Sequence, residues 1–468
     1  MLRIGVPPRS SATTYSASAL TITPGMGMYI FIISLFALWS CAWGEYQLSE
    51  HERAKIIAKY STTKADSVLV GDRAKLNVSD HDTFNILAQA TYGKVLPCLK
   101  EAWMMKGKDT SNFKFPDDAD EHFKELKKAT QQFRQAPVHE YSGYEGPWIE
   151  NLWIEKFIDK PLSYFGGMIP LFIQWIDTQI LRGQHFNNID RELLKILRPG
   201  VIYLAISQGD VGLGFIGSSH PNILVLAAGG FGHVPLPLVK SEVPHRPHQH
   251  HVNYLNITVG DEDDGPKPHK VRAQEYKQDI GFFGTMNQQN SGRQGMLDRI
   301  AKAANKLNMT HKYGLTDVHG DWQIEMGASK FNLCPRGYGR SSFRYAESIQ
   351  IGRIPVFLWD DVPWIPYHGT NLSIEHFGFQ RGLHTRKVST PDGGEKELTL
   401  EGVVQEMADM TEHEYKRKLA RLHDARWHFT YPGVLHQIEM FIANPFDHHK
   451  GGNLRCGHHP RTERCCDE

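Results

Sequence analysis

Short apolar runs alternate with helix-length segments through the second half of this chain, and that alternation leaves few folds open. The run "DIGFFGTM" (279–286) leads into "SGRQGMLDRIAKAANKL", where Met296, Leu297, Ile300, Ala301 and Ala304 mark one apolar helix face. Then "SKFNLCP", "SSFRYAESIQIG" and "RIPVFLWDD" read as strand, helix and strand. Strands separated by helices of this length predict a parallel sheet with crossover connections. Two earlier runs, "VIYLAIS" (201–207) and "NILVLAAGG" (222–230), are continuously apolar and bounded by Gly, Pro, Ser or Asn. That is the pattern of strands covered on both faces. The predicted fold class is α/β, with two lobes in a chain of 468 residues, and no internal repeat or heptad stands out.

Charge narrows the function classes. Lys and Arg total 52, as do Asp and Glu, and this balance argues against a nucleic acid as main partner. The N-terminus says more. "MYIFIISLFALWSCAW" (28–43) has no charged residue, follows Arg3 and Arg9, and precedes Glu45, Glu50 and Glu52. With Met26 and Gly27 it approaches the roughly 20 apolar residues of a membrane span. The flanking charges favour a cytoplasmic N-terminus and a lumenal bulk. The rival reading is a cleaved signal peptide, since Ala42-Trp43-Gly44 resembles its cleavage pattern. Both readings place the chain in the secretory pathway. Asn77, Asn256, Asn308 and Asn371 stand in glycosylation acceptor sequons. Cys456, Cys465 and Cys466 crowd a His-rich tail whose spacing fits no standard zinc framework, so it reads as a frayed, partly disulfide-linked end. "HRPHQHH" (245–251) reads as a solvated loop. The expected organisation is a tail (1–27), an anchor or signal (28–43), a stem (44–75), a first lobe (76–275), a second lobe (276–435) and the Cys/His-rich tail (436–468).

The second lobe contains the most unusual chemistry. Loops at the carboxyl ends of parallel strands are where such sheets bind ligands. Here that loop runs from Pro335 to Ser341. Gly337 and Gly339 allow positive φ and close backbone approach. Ser341 or Ser342 is a natural N-cap for the following helix, so free N–H groups would point at the same place as Arg336, Arg340 and Arg344. Arginine matches phosphate oxygens in pairs. Glu347 shares a helix face with Arg344 and can accept hydrogen bonds from ribose or sugar hydroxyls. Phosphate beside hydroxyls means a nucleotide sugar or a dinucleotide. For the dinucleotide, Gly337-x-Gly339-x-x-Ser342 approaches a phosphate-binding fingerprint, and Asp360 stands about 20 residues on, where a ribose acid belongs. Against it, the third position is Ser and three arginines crowd the turn. The plain structural alternative is a surface Arg–Glu pair.

Residues 331–367 also resemble a known family. Cys334-Pro335-x-Gly337, Ser342-x-Arg344-x-x-Glu347, Gly352-x-x-Pro355-Val356 and an acid before Pro363-Trp364-x-Pro366-Tyr367 look like the exostosin-like glycosyltransferases, family 47. "YEGPWIENLWI" (144–154), "FGGMIPLFIQWID" (165–177), "SQGDVG" (207–212), "AAGGFGHVPLPLVK" (227–240), "GFFGTMNQQNSGRQGMLDRI" (281–300) and "RWHFTY" (426–431) resemble further segments of that family. The resemblance implies a GT-B arrangement of two facing Rossmann-like lobes, with the donor in the second and the acceptor mainly in the first. It implies a Golgi membrane protein, single-pass type II, that transfers a sugar, UDP-sugars first, to a glycan hydroxyl. A hexosyl or pentosyl transfer with inversion is the expected reaction, and assembly with another glycosyltransferase or a second copy is compatible with it. Carried over, Arg344 would contact the donor diphosphate and Glu347 the ribose or sugar hydroxyls. Gly337 and Ser342 would shape the loop, and Arg293 is a further diphosphate candidate.

Such a transfer needs a base for the acceptor hydroxyl and cations for the departing diphosphate. Arginines and a helix N-terminus can supply the latter, so no obligatory metal is expected. Asp210, in a Gly-flanked loop after a buried strand, is the first candidate base, with Glu145 and His233 in reserve. Two other functions share the residues: a catalytically silent subunit that binds glycan or a partner enzyme, and a secreted nicotinamide oxidoreductase.

Overall fold

The computed structural model describes residues 116–134, 147–181, 185–198, 201–210, 212–213, 223–240, 276–286, 292–314, 322–360, 363–389, 394–443 and 454. The chain divides into Met1–Ser49 and Glu50–Glu468, and all described residues belong to the second unit. The expected anchor and stem, Asn77, Asn256, Glu145, the His-rich 245–251 and the cysteines of the tail lie outside the described residues. Among the described residues no helix is long and apolar enough to cross a membrane.

Two separate parallel sheets organise this unit. The first holds β1 (Ile169–Pro170), β2 (Tyr203–Ser207), β3 (Ile223–Ala227) and β4 (Val234–Pro235) in that order. Its central pair runs in register from Tyr203 opposite Ile223 to Ser207 opposite Ala227, with every residue of both strands buried. The helices of this lobe are α1 (Ala119–Ala129), α2 (Ile149–Phe157), α3 (Trp175–Leu181) and α4 (His185–Ile196). Trp153 of α2 is fully buried, its ring 4.4 Å from that of Phe157 and 5.5 Å from that of Phe172.

The second lobe follows the predicted alternation closely. Its elements are β5 (Gln278–Phe283), α5 (Arg293–Lys306), β6 (His311–Gly314), α6 (Trp322–Gly327), β7 (Ser329–Pro335), α7 (Phe343–Ile351), β8 (Ile354–Trp359), α8 (Ile374–Phe377) and β9 (Phe379–Gly382). All five strands are parallel, in the order β6-β5-β7-β8-β9. Helix α7 stops where Gly352 takes a left-handed φ of 81°, a conformation that favours glycine after a helix end. A hairpin, β10 (Arg386–Ser389) with β11 (Glu395–Leu398), precedes α9 (Leu400–Ala408), α10 (Glu412–Ala425) and α11 (Tyr431–Ala443).

Strand pleating divides the apolar side chains of this sheet between two cores, because successive residues face opposite ways. Ile354, Val356 and Leu358 of β8 join one core with α5, α9 and α10. Phe357 and Trp359 join the other, which continues through α7 and the segment 364–377 into the first sheet. The two lobes therefore share apolar packing. Helix α11 reinforces the junction by returning to the first lobe: the Tyr431 hydroxyl donates to the Pro147 carbonyl at 2.6 Å, and Lys156 pairs with Glu439 at 3.1 Å. The expected boundary at 435/436 falls inside this helix, and Leu454 of the expected tail is fully buried in the shared core.

Removing a large side chain from such packing leaves a cavity. Trp153→Ala is expected to cost about 3–5 kcal/mol of unfolding free energy, measured by denaturant titration. A loss below about 1 kcal/mol would mean that α2 does not anchor the first lobe.

Candidate functional site

The order of the second sheet reverses between β5 and β7: the chain leaves β5 toward β6 on one side and β7 toward β8 on the other. Loops diverge at such a reversal and leave a crevice at the carboxyl ends of the strands. The arginine-bearing loop after β7 opens onto it. Its internal bonds are numerous. Arg336 Nε and Nη2 donate to the carbonyls of Gly339 and Tyr338 at 3.0 and 2.8 Å, and Nη1 pairs with Asp360 at 2.7 Å. Asp360 also accepts from the Gly292 N–H at 3.1 Å, tying this loop to the start of α5. Arg293 completes the clamp, donating to the carbonyls of Arg336 and Thr285 at 2.7 and 2.8 Å. Burial, then the neighbouring Arg344 and Arg336, pushes the Arg293 guanidinium down to about 10.

These bonds bear on three sequence expectations. Arg293 lies at the crevice, but its donors hold loop carbonyls, so its observed place is a clamp within the fold. Neither Gly337 nor Gly339 has positive φ. The Gly337 N–H closes the turn on the Ser341 carbonyl at 2.8 Å, and a Cβ at Gly337 would meet nothing closer than 3.5 Å. Ser342 does hold the N-cap position of α7, yet its hydroxyl makes no capping bond.

Arg344 and Glu347 meet as their spacing predicted. Arg344 Nη1 pairs with Glu347 Oε2, while its Nε donates to the Phe283 carbonyl at the end of β5. Glu347 has a second cation that the sequence did not single out: Lys240 Nζ lies 2.7 Å from Oε1, reaching across from the first lobe. The Glu347 side chain is 2% exposed. Burial works against its charge, but Arg344 and Lys240 outweigh burial and hold the carboxyl below its ordinary range. Both cations also lie against Trp322 at the start of α6, with Arg344 Cζ 4.3 Å and Lys240 Nζ 4.9 Å from the ring centre.

Glycines bring the first lobe onto the same loop. The turns after β2, β3 and β7 pack backbone against backbone. A Cβ on Gly339 would lie 2.1 Å from the Gly229 carbonyl oxygen and 2.8 Å from Asp210 Oδ1, and one on Gly229 would lie 2.0 Å from the Gly209 carbonyl oxygen. The Arg340 N–H donates to the Gly229 carbonyl at 2.9 Å, and the Arg340 guanidinium lies 4.1 Å above the Phe231 ring. Asp210 thus stands against the arginine loop. Its surface is open to solvent, while the protein packed around the turn pushes its carboxyl up to about 6, against the Gly339 N–H and the Arg336 charge. His233 is placed differently: it is buried, and its Nδ1 accepts from the Val225 N–H at 2.8 Å inside the first sheet.

Three segments noted separately in the sequence converge behind Asp210. Glu150, fully buried, accepts from the N–H groups of Ile176 and Gln208 at 2.8 and 2.9 Å. Gln208 accepts from the Ile149 N–H at 2.8 Å and donates to the Val239 carbonyl at 2.9 Å, so it links the turn bearing Asp210 to the residue before Lys240. Asp177 accepts from Trp148 Nε1 and Asn151 at 3.0 and 2.8 Å. Burial pushes the Glu150 carboxyl up to about 7, against its two N–H donors and with the Asp177 charge adding to the rise. Elsewhere, Asn308 and Asn371 are exposed, as glycan attachment requires. Cys334 is buried, and burial pushes its thiol up to about 12, which suits a packing residue.

No protein-family profile matches the chain, and no curated protein does.

The Glu150 network has a pH signature. Its folded-state value of about 7 lies above the ordinary 4.5, so the folded chain alone binds this proton between those values. Its contribution to stability is complete below about 4.5 and is lost as pH rises through about 7. Glu150→Gln should flatten that part of the stability–pH curve, measured by denaturation at several pH values. An unchanged slope would assign the proton elsewhere.

Proposed function

We propose that this chain is an exostosin-like glycosyltransferase with its two α/β lobes in the GT-B arrangement, transferring a sugar from a nucleotide-sugar donor to a glycan hydroxyl within the secretory pathway. One observation carries the reading: a cation-bearing loop at the reversal of strand order, with an ionised carboxylate beside it and a carboxyl of raised affinity for protons supplied by the other lobe. In this reading Arg344 takes the donor diphosphate. Its N–H groups now lie on Glu347 and the Phe283 carbonyl, and phosphate oxygens compete for the same donors. Glu347, freed from part of that pairing, accepts from ribose or sugar hydroxyls.

Transfer then follows from the charges. Asp210 accepts the proton of the acceptor hydroxyl as its oxygen bonds to the anomeric carbon. The bond from that carbon to the donor diphosphate breaks, and its electron pair leaves on the diphosphate, where the chain's own cations stabilise it. A base with a value of about 6 is ionised at neutral pH and still basic enough to accept a proton.

Two measurements test this. UDP at about 100 times its Kd should add about 2.7 kcal/mol of stability, and Arg344→Ala should abolish the thermal shift. A shift with NAD alone would return the crevice to the oxidoreductase. With a donor and acceptor in hand, kcat/KM should rise with pH through about 6 and level off above it. Asp210→Asn should remove that limb and lower kcat about 10²–10⁴-fold. A variant that keeps wild-type kcat would exclude Asp210 as the base.

A further inference from the structure

We propose that Lys240 is a second diphosphate-binding cation, delivered to the donor site from the opposite lobe; this rests on the donor-site reading above. Three observations converge on it. Lys240 follows the last strand of the first sheet, yet its ammonium lies 2.7 Å from Glu347, a residue of the second lobe. It shares the Trp322 ring with Arg344, so the indole fixes the two cations relative to one another. Its backbone is held in place, because Gln208 Nε2 donates to the carbonyl of Val239 immediately before it, and the Gln208 N–H is in turn held by Glu150.

Charge explains what such an arrangement binds. Among the pairs described above, Glu347 is one carboxylate shared by two cations. The Lys240 side chain is 11% exposed, and Arg344 in turn stands near Arg293. Two like charges held on one carboxylate repel each other, and the oxygens of a further anion lower that cost. A diphosphate offers oxygens on two phosphorus atoms, matching a guanidinium fork on one side and a compact ammonium on the other. Lys240 therefore couples donor binding to the fit between lobes, since the first lobe supplies it and the second supplies Arg344.

The competing role is a plain counter-ion for Glu347. Calorimetric titration of the full chain with UDP and with inorganic pyrophosphate separates the two. For a diphosphate contact, Lys240→Met should weaken both ligands by about tenfold or more and by similar factors. If the wild type binds both, Arg344→Ala loses both, and Lys240→Met binds them as the wild type does, this inference falls and the donor site stands. A loss confined to UDP also overturns it, because Lys240 would then act away from the phosphates. If the wild type binds neither ligand, the donor-site reading fails first. Should Lys240→Met not fold, the wild-type chain answers alone: UDP and pyrophosphate should each slow reductive methylation of Lys240, read by mass spectrometry. Equal rates with and without them overturn the inference.

Discussion

A buried carboxylate must find positive charge within reach or give up its own, and Glu347 finds it on two different lobes. Lys240 comes from the end of the first sheet and Arg344 from the helix that carries Glu347 itself. Removing either cation leaves an incomplete buried network, which typically costs far more than a surface pair contributes. The carboxylate thereby joins lobe packing to site assembly. Apolar packing through Phe357, Trp359 and Trp364 brings the lobes together, and the charge cluster specifies how they meet.

Glycine makes the close approach sterically feasible. The turns after β2, β3 and β7 touch through Gly209, Gly229 and Gly339, and a Cβ on Gly229 or Gly339 would come within about 2 Å of a carbonyl oxygen. Gly230, with φ of 127°, lies against the backbone of Arg340. These contacts account for Asp210 lying beside a loop more than a hundred residues further along the chain. The turn geometry places the carboxyl, and the protein gathered around it raises its affinity for a proton.

Central strands were legible from the sequence and edge strands were not. Strands β2, β3 and β8 are covered on both faces, so they appear as nearly unbroken apolar runs. Strand β6, "HKYG", has no buried residue, and β9, "FQRG", has Arg and Gln among four residues. Both lie at the edges of the sheet, where pairing on one side suffices and the apolar signal fades. At the site, Arg344 with Glu347 was visible because helical spacing is local. Lys240 was not visible, because it meets Glu347 through tertiary contact alone. Ser342 shows the opposite failure: the preference for serine at helix starts located the N-cap, but the capping bond itself is absent.

Arg293, Arg336 and Arg344 separate by what they hold. Arg336 and Arg293 donate mainly to backbone carbonyls, with Asp360 as the one carboxylate among the partners described above, so their task is to keep a glycine-bearing turn in one shape. Arg344 has a carbonyl on one nitrogen and a carboxylate on another, and its partner Glu347 is also ion-paired with Lys240 from the far side. A phosphate that displaced Glu347 from Arg344 would therefore leave the carboxylate still paired. The same ligand could not take Arg336 or Arg293 without unfastening the loop. Counting arginines would rank these three alike; following their hydrogen bonds leaves Arg344, among them, as the one whose exchange of partners the fold can bear.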